Sequence, residues 1–239
     1  SSADGYLNAF DAIGKDTLLY NTHSNPLDLA AELASNDAPD VVVFPGGSGD
    51  EQFAGLGDVG RTAVKAFVAG GGGYVGTCGG GFLAVPGRCC SAAAAGYCSK
   101  AGCSPSNQSI SIMAASATEP WNRGHGNVTV WFTSEGASSL GLDSSWANRN
   151  VSIVYWQGPI MQPFAVGGLR PYTSHAVFTS EVHTNMPNLT TGEMNGTSAI
   201  STAAYGHGRV LVSTPHPELT EPQLLDVIAG YMRWAAGAV

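Results

Sequence analysis

Two short apolar runs, Asp40-Val-Val-Val-Phe44 and Gly73-Tyr-Val-Gly76, each lead into glycine-rich turns and are separated by one helix-length segment. Such runs suit parallel strands covered on both faces, where the usual alternation of apolar and polar residues disappears. Between them, Val59, Ala63, Val64, Phe67 and Val68 share one helical face before a glycine run stops the helix. Strand, helix and strand with short connections make a βαβ unit, with the right-handed crossover such units take. The chain is therefore read as α/β: three layers, with a mostly parallel sheet and helices on both faces.

The flanks extend this pattern. Residues 4–13 read as an amphipathic helix through Tyr6, Leu7, Phe10 and Ile13, so the chain opens on a helix with no strand ahead of it. Thr17-Leu-Leu-Tyr20 reads as a short strand. Asn25 to Leu33 reads as a helix, with Asn25 as its N-cap and Pro26 at its first position. From about 86 to 205 the character changes. Runs such as Val128-Thr-Val-Trp-Phe132, Val151-Ser-Ile-Val-Tyr155 and Ala176-Val-Phe178 predict antiparallel strands among long loops. The α/β pattern returns with a turn over 203–209, a strand Val210–Ser213 and a closing helix from Glu221 to Ala236. The expectation is one domain over 1–239, carrying an inserted β-rich, glycosylated, disulfide-containing region at about 86–205.

Composition bears on where such a chain works. Of 239 residues, 44% are hydrophobic and 12% charged, so a core is available and solubility rests on neutral polar groups or sugars. Asn-x-Ser/Thr sequons stand at Asn107, Asn127, Asn150, Asn188 and Asn195; a chain rich in Asn, Ser and Thr also produces some by chance. Cys89, Cys90, Cys98 and Cys103 form a C-C-x7-C-x4-C cluster, which in an oxidising compartment makes two disulfides. A vicinal bond is strained, so Cys89 and Cys90 each pair with Cys98 or Cys103. A zinc site is the rival, but the cluster lacks the paired C-x2-C spacing. These features point to a secreted protein, for which Ser1 is a processed or trimmed start. A net charge of −8 without a basic run argues against nucleic acid as partner, and no apolar stretch approaches the ~20 residues of a spanning helix.

The fifth cysteine, Cys78, stands apart in Gly73-Tyr-Val-Gly-Thr-Cys-Gly-Gly-Gly81. Gly76-x-Cys78-x-Gly80 fits a nucleophile elbow, where a strained turn exposes the thiol to the first amides of the next helix. Alternatives are a phosphate-binding turn, which lacks its Lys-Ser/Thr here, and a buried structural cysteine. Thr214-Pro-His-Pro-Glu218 follows the last strand, at the carboxyl edge where α/β sites form. His216 there can act as base to Cys78, and Glu218 can orient the imidazole. Pro45-Gly-Gly47 ends the earlier strand and can offer backbone N–H groups to an oxyanion, unless it is a plain tight turn. His125, His175, His183 and His207 show no metal-ligand spacing, and no cofactor or metal is expected.

These motifs, in this order, resemble the class I glutamine amidotransferase-like superfamily, of flavodoxin-like fold. The likeness is greatest to the branch similar to the N-terminal domain of fungal biotin–protein ligases. It rests on Val43-Phe-Pro-Gly-Gly47, on Tyr205-Gly-His-Gly-Arg-Val-Leu-Val212 before Pro215-His-Pro-Glu218, and on Gln157-Gly-Pro159. The resemblance implies Cys78 as nucleophile, His216 as base, Glu218 as orienting acid, Gly47 and Gly79 as oxyanion donors and Gln157 on the substrate side. Domains of this type begin with a strand that has no counterpart here, which is cleaved away, disordered or supplied from elsewhere, for instance by a neighbouring copy. Two functions follow: cysteine-dependent hydrolysis of a small amide, peptide or γ-glutamyl-type bond, or a catalytically silent extracellular coat or filament subunit assembled by strand donation between copies.

Overall fold

The computed structural model describes residues 1–21, 26–90, 102–119, 123–182 and 193–239. Asn25, Cys98, His183 and Asn188 lie outside them.

Helix α1 (Ser2–Ala12) opens the chain. Ser1 caps it, accepting from the Asp4 amide while the Asp4 side chain reaches back in a capping box. Helix α2 (Pro26–Leu33) leads to strand β1 (Val41–Phe44), helix α3 (Gly49–Gly70), strand β2 (Gly73–Thr77) and helix α4 (Gly79–Ala84). Ser48 caps α3 through its hydroxyl, and Asp50 and Glu51 place negative charge on the first turn, where the helix dipole favours it. The helix runs well N-terminal to its predicted start, with a kink at Gly57, whose φ of 57° breaks the helical path. Strands β3 (Gly87–Cys90), β4 (Gly102–Pro105), β5 (Ala115–Glu119) and β6 (His125–Phe132) follow, then helix α5 (Ser134–Ser139) and strands β7 (Arg149–Trp156), β8 (Ile160–Pro163) and β9 (Thr173–Phe178). Strands β10 (Ser198–Tyr205) and β11 (Gly208–Ser213) and helix α6 (Leu225–Ala235) complete the chain.

The described strands form one eleven-stranded sheet with the path β1-β2-β11-β10-β8-β5-β3-β4, extended by β9, β6 and β7. It is parallel across β1, β2 and β11, and again between β3 and β5; the remaining pairings are antiparallel. The antiparallel strands come almost wholly from the stretch where they were expected. Side chains divide between two cores as the pleat requires. Val75 and Leu211 join the core under α1 and α6, whereas Tyr74, Val210 and Val212 join the core with α2, α3 and α4. That is the expected three-layer arrangement.

Two corrections concern pairing. Thr17–Tyr20 forms no strand, and Leu18 and Leu19 are 65% and 72% exposed. A strand needs a neighbour for its backbone groups, and β1 pairs only with β2 among the described strands. In addition, Ala203–Tyr205, read above as part of a turn, ends β10, which pairs antiparallel with β11 from Ile200↔Ser213 to Tyr205↔Gly208. In the β-rich stretch, Cys89 and Cys103 face each other across β3 and β4 and are disulfide-bonded, and Cys90 is also in a disulfide.

What places the elbow is backbone packed on backbone. A Cβ on Gly76 would lie 2.5 Å from the Gly80 carbonyl oxygen, and one on Gly80 would fall inside the Phe44 carbonyl. The end of β1 and the start of α4 can meet this closely only through glycine. Gly80→Ala is therefore expected to cost about 2 kcal/mol or more, read as a lower denaturant midpoint at unchanged slope. An unchanged midpoint would show that the contact is not needed.

Candidate active site

Cys78 sits between β2 and α4 with φ 51° and ψ −102°, a region non-glycine residues rarely enter. Its amide donates to the Ser213 carbonyl at 3.0 Å, which ties the turn to the end of β11. The side chain is 6% exposed and in no disulfide. Its Sγ donates to the Trp156 carbonyl at 3.2 Å, so the end of β7 lies directly on the thiol.

His216 and Glu218 follow β11. The His216 amide donates to the Val154 carbonyl at 2.7 Å, and its own carbonyl accepts from the Thr220 hydroxyl at 2.8 Å. The backbone is thus fixed on both sides of the ring. His216 Nδ1 donates to Glu218 Oε1 at 2.7 Å, with both side chains buried. Donation through Nδ1 leaves Nε2 as the nitrogen free to accept a proton. Burial opposes charge on the imidazole, but Cys78 and then Glu218 outweigh it and push His216 up to about 10. Among the described residues Nε2 nevertheless has no hydrogen-bond partner, and the thiol donates to Trp156. Cys78 still lies close enough to the ring to raise its pKa.

Gly47 and Gly79 are also brought together. A Cβ on Gly79 would fall on the Gly47 carbonyl and 3.1 Å from the Gly47 nitrogen, so the two backbones touch. Gly79 opens α4, where first-turn amides have no intrahelical acceptor. Gln157 has φ 58°, and its amide donates to the Gly124 carbonyl at 3.1 Å, beside the Trp156 carbonyl that receives the thiol. The expected site residues thus converge, apart from the cysteine cluster and the sequons. Cys89, Cys90 and Cys103 lie on β3 and β4, and Asn107, Asn127, Asn150 and Asn195 are exposed. Among the described residues no cluster of His, Cys, Asp and Glu could hold a metal.

Some members of the site escape a reading by motif. Ser2 donates from Oγ to Glu218 Oε1 at 2.6 Å and accepts from the Gly46 amide at 2.7 Å. The Tyr6 and Thr77 hydroxyls bond at 2.5 Å, one residue before the thiol. The Trp156 contact is made by a carbonyl, which carries no residue signature. For Tyr6 the only signal is its place on the apolar face of the first helix, and Ser2, ahead of that helix's predicted start, carries none.

Neither a protein-family model nor a curated protein matches the chain. Solved structures do. A glutamine amidotransferase superposes with a TM-score of 0.57 at 14% identity, over 99% of this chain and 95% of its own. A ThuA-like protein from Bacteroides uniformis gives 0.58 at 10% identity, over 98% and 83%. A cytoplasmic protein from Salmonella typhimurium gives 0.57 at 12%, over 98% and 87%. The chain has the class I glutamine amidotransferase-like fold. At these identities the likeness is one of fold, and the chemistry of the site must be argued from its own residues.

The raised pKa of His216 has a consequence for stability. A group whose pKa climbs on folding, from an ordinary ~6.5, gives its full stabilisation below the unfolded value and loses it as pH rises through the folded one. Melting temperature should therefore fall between pH 6.5 and about 10, and less steeply in Cys78→Ala, which lacks one of the groups that raise the ring. Identical profiles for the two proteins would contradict the coupling.

Proposed function

We propose that the protein is a cysteine-dependent amide hydrolase, with Cys78 as nucleophile, His216 as base and acid, and Glu218 orienting the ring. The observation that carries this is the convergence of a free, strained elbow cysteine and a buried His216–Glu218 pair from the opposite end of the chain. In the reaction, His216 Nε2 first draws the proton from the thiol, the transfer its raised pKa favours, and the thiolate then attacks the carboxamide carbon. The resulting oxyanion is received by the Gly47 and Gly79 amides. His216 returns the proton to the leaving nitrogen, the C–N bond breaks, and ammonia or an amine departs from a thioester. Water then gives a proton to His216 and attacks the thioester. The C–S bond breaks, the thiolate regains its proton and a carboxylic acid leaves. No cofactor or metal takes part in this scheme.

Substrates of this chemistry are small carboxamides, peptides or γ-glutamyl compounds, with Gln157 beside the approach to the thiol. Within the amidotransferase-like fold, the motifs around Val43–Gly47 and Tyr205–Glu218 favour the branch similar to the N-terminal domain of biotin–protein ligases. An extracellular setting is supported by the Cys89–Cys103 disulfide and by four exposed sequon asparagines, which we assign as N-glycosylated together with Asn188. Among the described residues no helix is long and apolar enough to cross a membrane.

The test is direct. The wild type is expected to hydrolyse a γ-glutamyl anilide, Cys78→Ser to abolish this, and His216→Ala to lower it by about 10²–10⁴-fold. Activity that survives Cys78→Ser would remove the thiol from the mechanism.

One observation favours a second reading, a silent subunit that assembles with its own copies. The outer edge of β1 pairs with no described strand, and the nearby sequence exposes Leu18 and Leu19. A strand added there would complete the parallel sheet. On this reading light scattering gives concentration-dependent oligomers that a proline at Val42 abolishes, while γ-glutamyl anilides are left intact. A monomer at all concentrations would dismiss it.

A further inference from the structure

We infer that Ser2 is a positioning residue that locks the acid–base pair and the oxyanion turn into one unit. This rests on the hydrolase reading above, because the hydroxyl acts through His216, Glu218 and the Pro45-Gly46-Gly47 turn.

Ser2 occupies the first turn of α1 and is 7% exposed. A hydroxyl has a single proton, and Glu218 Oε1, at 2.6 Å, can only accept it. Toward Gly46 the same oxygen must therefore accept, which it does from the amide at 2.7 Å. Glu218 Oε1 also receives the His216 Nδ1 proton at 2.7 Å, while Oε2 is buried without a partner among the described residues. The hydrogen bonds to this carboxylate among the described residues thus fall on one oxygen, from two donors that hold it between them. Such charge-assisted bonds are strong and directional. Without the hydroxyl the carboxylate is free to turn Oε2 toward Gly46, where it would no longer aim the ring.

The other half of the link is steric. A Cβ on Gly46 would lie 2.5 Å from His216 Cε1 and 3.1 Å from Ser2 Oγ, so the turn packs closely on both ring and hydroxyl. Anchoring the Gly46 amide fixes the start of the turn that presents the Gly47 amide, our assigned oxyanion donor. Helix α1 reaches the site a second time, one turn on, where Tyr6 bonds Thr77 beside Cys78. The inward face of this helix thus contacts the strand before the nucleophile, the turn before the oxyanion donor and the acid behind the base. Ser2 is the member that touches two of them at once.

The experiment compares the full chain with Ser2→Ala and Ser2→Thr in two assays. Acylation of Cys78 by p-nitrophenyl acetate builds an oxyanion, whereas alkylation by iodoacetamide does not. Ser2→Ala should slow acylation about tenfold more than alkylation, less than the 10²–10³-fold of deleting an oxyanion donor outright. Ser2→Thr, which keeps the hydroxyl, should restore the wild-type ratio. In NMR spectra, Ser2→Ala should speed hydrogen exchange at the Gly46 amide and shift the His216 Nδ1 proton resonance; Ser2→Thr should do neither. An unchanged acylation-to-alkylation ratio in Ser2→Ala, or a Ser2→Thr variant as impaired as Ser2→Ala, overturns the proposal. So do unmoved Gly46 and His216 signals. A wild type that is not acylated at Cys78 at all would instead defeat the hydrolase reading, leaving the NMR signals to decide the Ser2 link.

Discussion

Backbone packed against backbone at the ends of β1 and β2 is the contact on which the rest of the site depends. The Phe44 carbonyl occupies the space a side chain on Gly80 would need, and the Gly47 backbone does the same to Gly79. No larger residue permits these approaches, made by main chain at the end of β1 and in the turn that follows it. As a result the Pro45-Gly46-Gly47 turn is pressed against the first turn of α4, and Cys78 is held on the only path between β2 and that helix. Its positive φ is imposed by both neighbours, since the Cys78 amide is tied to Ser213 and the next residues are wedged against β1. Strain of this kind persists only where the surroundings over-determine it.

Around that contact lies a polar cluster that would be costly if any member were unpaired. Burying a charged pair takes several kcal/mol per ion before attraction and hydrogen bonding offset it. Here the offsets come from four parts of the chain. Glu218 receives His216 and Ser2; the Ser2 hydroxyl receives Gly46; and Gln223 donates from Nε2 to the Glu218 and Gly5 carbonyls at 2.8 and 3.0 Å. Tyr6 and Tyr231 are kept neutral by burial, each bonded to another hydroxyl, Thr77 or Ser213. The cluster joins the first helix to the last loop, so folding of the termini and assembly of the site are one event. His216 Nε2 and Glu218 Oε2 are the atoms of this cluster left without a bond among the described residues, while the thiol donates to Trp156.

Much of this was legible in the chain. The apolar runs at Val41–Phe44 and Gly73–Thr77 are strands because both faces are buried, and the glycines after them mark the close approaches the structure contains. Cys78, His216 and Glu218 could be connected because each stands just after a strand, and parallel strands bring such ends to one edge. What escaped had physical reasons. The N-terminal extension of α3 hid behind Gly57, which breaks the periodicity where the helix kinks. The end of β10 read as a turn because Ala203-Ala-Tyr205 lacks β-branched residues; its pairing with β11 supplies the stability that propensity does not. Thr17–Tyr20 has strand composition but no partner. Ser2 gave no local signal at all, since its role arises only when residues 46 and 218 reach it in three dimensions.

The central claim is that Cys78 forms a covalent acyl intermediate with help from His216. Intact-protein mass spectrometry after brief exposure to glutamine hydroxamate and acid quenching tests it most directly. The account predicts one added glutamyl group that maps to Cys78, is absent in Cys78→Ser and accumulates far more slowly in His216→Ala. A folded wild type that stays unmodified, or an adduct carried by any other residue, would contradict it.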